Sequence, residues 1–137
     1  MSNTVGETQE EQRLRFHHLV KKVVDLIIDL GKKARAERES LGLPNKRPLE
    51  EFEQRVLTAM VALGGKSELA AITAQVDAGT EKHSGDSAVL FTLSRLEGEG
   101  FTTFQRVPAT ETEKVKIFFM ITDDGEALLA DAMAGID

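Results

Sequence analysis

Residues 84–129 read SGDSAVLFTLSRLEGEGFTTFQRVPATETEKVKIFFMITDDGEALL, and the changing period of their apolar positions decides the fold. Val89, Leu93 and Leu96 recur at spacings of four and three, so they share one face of a helix. Gly98 and Gly100 stop that helix, since glycine is costly in a helix interior and supplies the backbone freedom its end requires. Beyond Phe101 the period becomes two. From Lys114 to Ile121, Val115, Ile117, Phe119 and Ile121 alternate with Lys116, Phe118 and Met120, the pattern of a strand with one buried face.

The polar stretch from Pro108 to Glu113 joins two strands into a hairpin. With Val107 facing Lys114, Phe104 falls opposite Ile117 and Thr102 opposite Phe119, which gathers Phe104, Ile117, Phe119 and Ile121 on the core face. A one-residue slip would turn one strand's set outward. Thr122 caps the next helix, with Asp123 and Asp124 in its first turn beside the N-terminal dipole.

Helix, two-stranded wing and helix form the C-terminal half of a winged helix-turn-helix. The segment Thr92-Leu93-Ser94-Arg95-Leu96-Glu97-x-Glu99-Gly100-Phe101, followed after the wing by Ile121-Thr122-Asp123-Asp124-Gly125-Glu126-Ala127-Leu128, resembles the pattern of PadR-like and MarR-like transcriptional regulators over roughly residues 50 to 134. The resemblance implies a mainly α chain with a two-stranded β-wing, and sequence-specific DNA binding as a homodimer. Fold alone does not fix function, and winged helices also serve as protein-binding modules.

Working outward towards the N-terminus, Ser67 is expected to cap a helix with Leu69, Ile72 and Val76 facing the core, the first helix of the motif. The connection from Asp77 to Gly85 exceeds the minimal turn, and PadR-like proteins also tend to carry a long one. Pro48 is expected to open the preceding helix, with Phe52, Val56, Met60 and Leu63 as its buried stripe and Gly64-Gly65 as its end. Residues 41–47 read as a linker. Before them, Thr8 with Glu11 fits a capping box at the start of a long helix. There Phe16, Leu19, Val20, Val23, Val24, Leu26, Ile27, Ile28 and Leu30 cover an arc of roughly 200°, wider than one core requires.

Such an arc touches two things, its own domain and a second subunit; the alternative is one large intramolecular interface. Phe16, Leu19, Val20, Val23, Ile27 and Leu30 are the expected dimerisation residues. Gly31 marks a bend in this reading, and the basic run after it is a solvated helix end or a phosphate-contacting arm. The chain thus divides into a disordered tail (1–7), a long helix with its linker (8–47) and a winged helix-turn-helix domain (48–137).

Composition bounds the function. The 137 residues carry a formal net charge of −6 and no cysteine, which excludes disulfides and thiolate chemistry. No apolar run of about eighteen residues is present, and the N-terminus lacks a basic region followed by an apolar one, so the cytoplasm is expected and no membrane contact. Residues 56–137 hold six Lys and Arg against thirteen Asp and Glu. A DNA-binding domain usually shows the opposite balance.

On the helix read as the recognition helix, burial of Val89, Leu93 and Leu96 turns Ser87, Ala88, Phe91, Ser94 and Arg95 outward. In the DNA-binding reading Arg95 reaches guanine or phosphate, Ser87 a phosphate and Phe91 a thymine methyl. Lys82, Ser84, Lys114 and Lys116 complete the candidate DNA-contacting set. Phe91 suits a protein partner better than a base edge, so the competing function is an interaction or assembly module that meets its partner through the Phe91 face.

No enzyme is expected, and no cofactor or metal. Gly64-Gly65-Lys66-Ser67 imitates the end of a P-loop, but Met60 stands where its first glycine is required. His17 and His18 point about 100° apart on a helix. His83, Ser84 and Asp86 name the residue types of a hydrolase triad without its relay geometry.

Overall fold

The computed structural model describes residues 8–81 and 83–135. The tail expected at 1–7 and the candidate Lys82 lie outside the described residues. Among these, five helices and a small three-stranded antiparallel sheet form an α+β arrangement.

Helix α1 (Gln9–Ser40) starts at Thr8, whose hydroxyl accepts the Glu11 N–H at 3.1 Å, and it continues through Gly31 without interruption. Helix α2 (Glu51–Ala62) begins three residues after Pro48, with Glu50 as its cap; the Glu53 carboxylate turns back to accept the Glu50 N–H at 3.0 Å. Val56, Leu57 and Met60 are buried, with Phe52 and Leu63 half-buried beside them. Gly64 and Gly65, at φ 93° and 88°, then reverse the chain in a backbone region where other residues are strained.

That reversal produces a strand that periodicity does not signal. Lys66–Ser67 (β1) pairs with the outer edge of the hairpin, so Ser67 lies in the sheet and Glu68 caps the following helix α3 (Leu69–Asp77). The two-stranded expectation is therefore corrected to three strands in the order β1-β3-β2. Helix α4 (Gly85–Gly98) leads into β2 (Thr102–Val107), β3 (Lys116–Ile121) and α5 (Asp123–Ala134). Thr122 caps α5 by accepting the Gly125 N–H at 3.0 Å.

The hairpin register also differs from expectation. Phe104 pairs with Phe119 and Thr102 with Ile121, a shift of two residues. Because side chains alternate with period two, this shift leaves every residue on its expected face. The strands are fixed where they meet rather than at the loop: Thr122 donates its N–H to the Phe101 carbonyl at 3.0 Å and its hydroxyl to the Gly100 carbonyl at 2.8 Å. The loop widens to 108–115 as a result, and it takes in Lys114 and Val115, which the alternation had assigned to the strand.

Val56, Leu57, Met60, Ile72, Val89, Leu93, Leu96 and Phe101 make a core with no exposed surface, flanked by Val76, Phe119, Leu128 and Leu129. Full burial of one such aliphatic or aromatic side chain contributes roughly 1.5–3 kcal/mol. Phe119 is buried as the alternation requires, but Phe104 and Ile117 extend past the core and are 47% and 43% exposed. Met133 is exposed, with its sulfur accepting the Gln54 amide at 3.2 Å.

Candidate interaction surface

Helix α1 lies lengthwise against α4 with the two running in the same sense: Arg38 meets Glu99, Gly31 meets Gly98, and Val24 lines a cleft with Leu90. Gly31 does not interrupt the helix. It is the one buried residue of α1, and a Cβ there would lie 2.6 Å from the Arg95 carbonyl oxygen. A Cβ on Gly98 would lie 2.1 Å from the Ile28 carbonyl oxygen. The two backbones approach so closely that only glycine fits on either side.

Ser94 and Gly98 project from α4 nearly opposite Val89, Leu93 and Leu96. The surface expected to face solvent is therefore covered over its C-terminal half. Ser94 is 4% exposed and donates its hydroxyl to the Leu90 carbonyl at 2.8 Å. Phe91, also expected outward, is half-buried in an open cleft of about 420 Å³ whose walls include Leu30, Ala34, Phe52 and Arg95. Farther along, Val24 and Ile28 reach the end of the hairpin and line a second cleft with Phe104, Ile117 and Phe119.

A latch of charged groups holds the other end of this packing. The Glu99 carboxylate, with no exposed surface, accepts from Arg47 Nε at 2.7 Å and Nη2 at 2.8 Å, and from Arg38 Nη2 at 2.6 Å. Arg47 also meets both Glu53 oxygens, at 2.7 and 2.6 Å. Asn45 accepts from Arg38 at 2.6 Å and donates to the Glu99 carbonyl at 2.7 Å. The stretch read as a linker, with the basic end of α1, is thus the clamp joining α1, α2 and α4.

Burial by itself raises the Glu99 carboxyl, but hydrogen bonds from Arg47 and then Arg38 outweigh it and hold it below the usual carboxylate range. The same balance, with Arg47 and the Glu50 N–H as donors, lowers Glu53. Hydrogen bonding to Glu53 raises Arg47 despite its burial. Glu97 shows the contrasting case: burial raises it, and only the charge of Lys32 opposes this.

Of the candidate DNA-contacting residues, Ser84 precedes α4, Ser87, Phe91 and Arg95 lie on it, and Lys114 and Lys116 belong to the hairpin. Arg95 lies 3.5 Å from Glu99 and 3.9 Å from Glu50, so carboxylates flank its charge. Lys116 sits 3.7 Å from Glu113. Ser84 is half-buried, its N–H donated to the Asp77 carboxylate at 3.0 Å. Ser87 and Lys114 are exposed.

The dimerisation candidates differ in exposure. Val20, Val23 and Ile27 are half-buried, whereas Phe16, Leu19 and Leu30 are 64%, 57% and 63% exposed, and Leu26, absent from the expected set, is 63% exposed. Phe16, Leu19, Val23, Leu26 and Leu30 follow one another at spacings of three and four and form an apolar seam beside the face that packs on α4.

Searches of family models, curated proteins and solved structures found no match to this chain. Among the described residues no helix is long and apolar enough to cross a membrane, and no cluster of His, Cys, Asp and Glu is arranged to hold a metal ion.

Proposed function

We propose that this chain is a winged-helix domain used as a protein-interaction and assembly module, paired as a homodimer through α1. One observation carries the reading: α1 packs along the face of α4 that a groove-reading helix would have to present, with Ser94 buried beneath it and Gly31 against Gly98. Local charge points the same way. Arg95 and Lys116 each have a carboxylate within 4 Å, and residues 56–137 are strongly acidic. The exposed seam of α1 supplies the apolar surface that an assembly contact uses. Cytoplasmic residence, expected from the sequence, belongs to the same proposal.

The PadR/MarR-like DNA-binding reading keeps one supporting observation, the exposure of Ser87 at the N-terminal end of α4 and of Lys114 beside the hairpin. Titration against random-sequence duplex at low salt tests for a DNA-reading face that is open in the wild type, since phosphate neutralisation alone gives dissociation constants of about 10⁻⁴ to 10⁻⁶ M for a DNA-binding protein. The assembly reading expects no binding in that range. Binding there, weakened by Lys114→Ala, would overturn it.

A further inference from the structure

The exposed seam of α1 has the spacing of a coiled-coil seam, in which apolar residues recur every 3.5 positions on average. Its two flanks differ. Val20 and Ile27 border it on one side, Lys22 and Asp29 on the other. In two-helix packing these flanking residues meet across the seam and decide orientation and register.

We propose that the seam is covered by α1 of a second copy lying antiparallel, with Leu19 opposite the partner's Leu30 and Val23 opposite the partner's Leu26. The inference rests on the homodimer reading and specifies its geometry. In this register Lys22 meets the partner's Asp29, and Asp29 the partner's Lys22. On the other flank Val20 meets the partner's Ile27, and Ile27 the partner's Val20. A twofold contact makes each pair twice.

The alternatives are worse on charge. Sliding by one heptad in one direction sets Lys22 against the partner's Lys22; sliding in the other sets Asp29 against the partner's Asp29. A parallel pair lays Lys22 on the partner's Ile27 and Asp29 on the partner's Ala34, leaving both charges on apolar flanks. The antiparallel register also brings the partner's Phe16 level with Lys33, the neighbour in sequence of Ala34, which lines a cleft with Leu30, Phe91 and Arg95. Phe16 is exposed within its own chain, so the aromatic anchor expected of an interface has a recess to enter.

Because the chain has no native cysteine, single-cysteine variants report the geometry directly. Oxidation of an equimolar mixture of Leu19→Cys and Leu30→Cys chains should give a disulfide between the two variants, with little dimer from either alone. In sedimentation, Lys22→Glu should weaken the dimer roughly ten-fold, by turning two attractive pairs repulsive, and adding Asp29→Lys should restore it to within about two-fold. A stable dimer in which Leu19→Cys chains crosslink to themselves and the charge swap fails to rescue would overturn the antiparallel register while leaving the homodimer reading intact. Wild-type chains monomeric at about 50 µM would overturn both, since mass action at that concentration holds a specific dimer together.

Discussion

Glu99→Gln removes one charge from the centre of the latch and changes little else in shape. Three hydrogen bonds of 2.6–2.8 Å from Arg38 and Arg47 converge on this carboxylate, which has no exposed surface. In the variant an amide donor faces guanidinium donors. Arg47 keeps Glu53, but Arg38 keeps only the Asn45 amide oxygen. Breaking a buried pair by removing one partner costs about 3–5 kcal/mol, a large share of the roughly 5–15 kcal/mol that stabilises a domain. Urea denaturation at neutral pH should show that loss as a lower midpoint with unchanged slope. The acid limb gives a second readout. An unfolded glutamate titrates at about 4.3, and the folded Glu99 and Glu53 carboxyls titrate lower. Their stabilisation is therefore complete above the unfolded value and is lost as pH falls through the folded ones, so Glu99→Gln should flatten that loss. A cost below about 1 kcal/mol with an unchanged acid limb would refute the latch, because it is the range of an exposed ion pair.

Glu97→Gln, two residues earlier, should be neutral or stabilising in the same assay, since burial without a bonded partner disfavours that carboxylate. Gly98→Ala should loosen α1 from α4, because its Cβ meets backbone at 2.1 Å; hydrogen exchange of residues 24–34 should accelerate while the α2 core amides stay protected. Phe119→Ala should cost about 3–5 kcal/mol and Phe104→Ala much less, as Phe104 is half exposed; equal losses by thermal melts would contradict the hairpin packing. Ser67→Ala should be neutral or slightly stabilising, as its buried hydroxyl has no hydrogen-bond partner among the described residues.

The elements legible in the sequence are those with a long periodic signal or a local cap. Val89, Leu93 and Leu96 face the core as their spacing requires, and Thr8 and Thr122 cap helices α1 and α5. Hairpin parity was legible but register was not: alternation distinguishes one face from the other and is blind to a shift of two, which the Thr122 contacts at the hairpin base determine. Two residues are too few to show a period, so β1 was hidden. The latch was hidden for a different reason. Arg47 and Glu99 lie 52 positions apart, and an arginine in a polar stretch looks the same whether it is solvated or buried against a carboxylate. Gly31 did carry a signal. A glycine inside a strongly helix-favouring run needs a reason, and close approach of another backbone is as good a reason as a bend.

The packing of α1 also sets what DNA binding through α4 would require. For α4 to enter a groove with its outward face, α1 must leave Ser94 and Gly98, and Arg38, which sits on α1, must leave Glu99. Removing one partner from such a buried contact costs about 3–5 kcal/mol, and a binding-competent form of that free energy is populated at roughly one part in 10² to 10⁴, which weakens apparent affinity by the same factor. Non-specific binding of about 10⁻⁴ to 10⁻⁶ M would then move to about 10⁻⁴ M or weaker. Gly98→Ala turns this into a two-way test. If α1 merely shields a DNA-reading face, the variant should bind duplex at low salt where the wild type does not, and the gain should depend on Lys114. If α1 is held on α4 to present its seam, the variant should gain no DNA affinity and should instead lose dimer, because the helix carrying Leu19, Val23, Leu26 and Leu30 is no longer fixed.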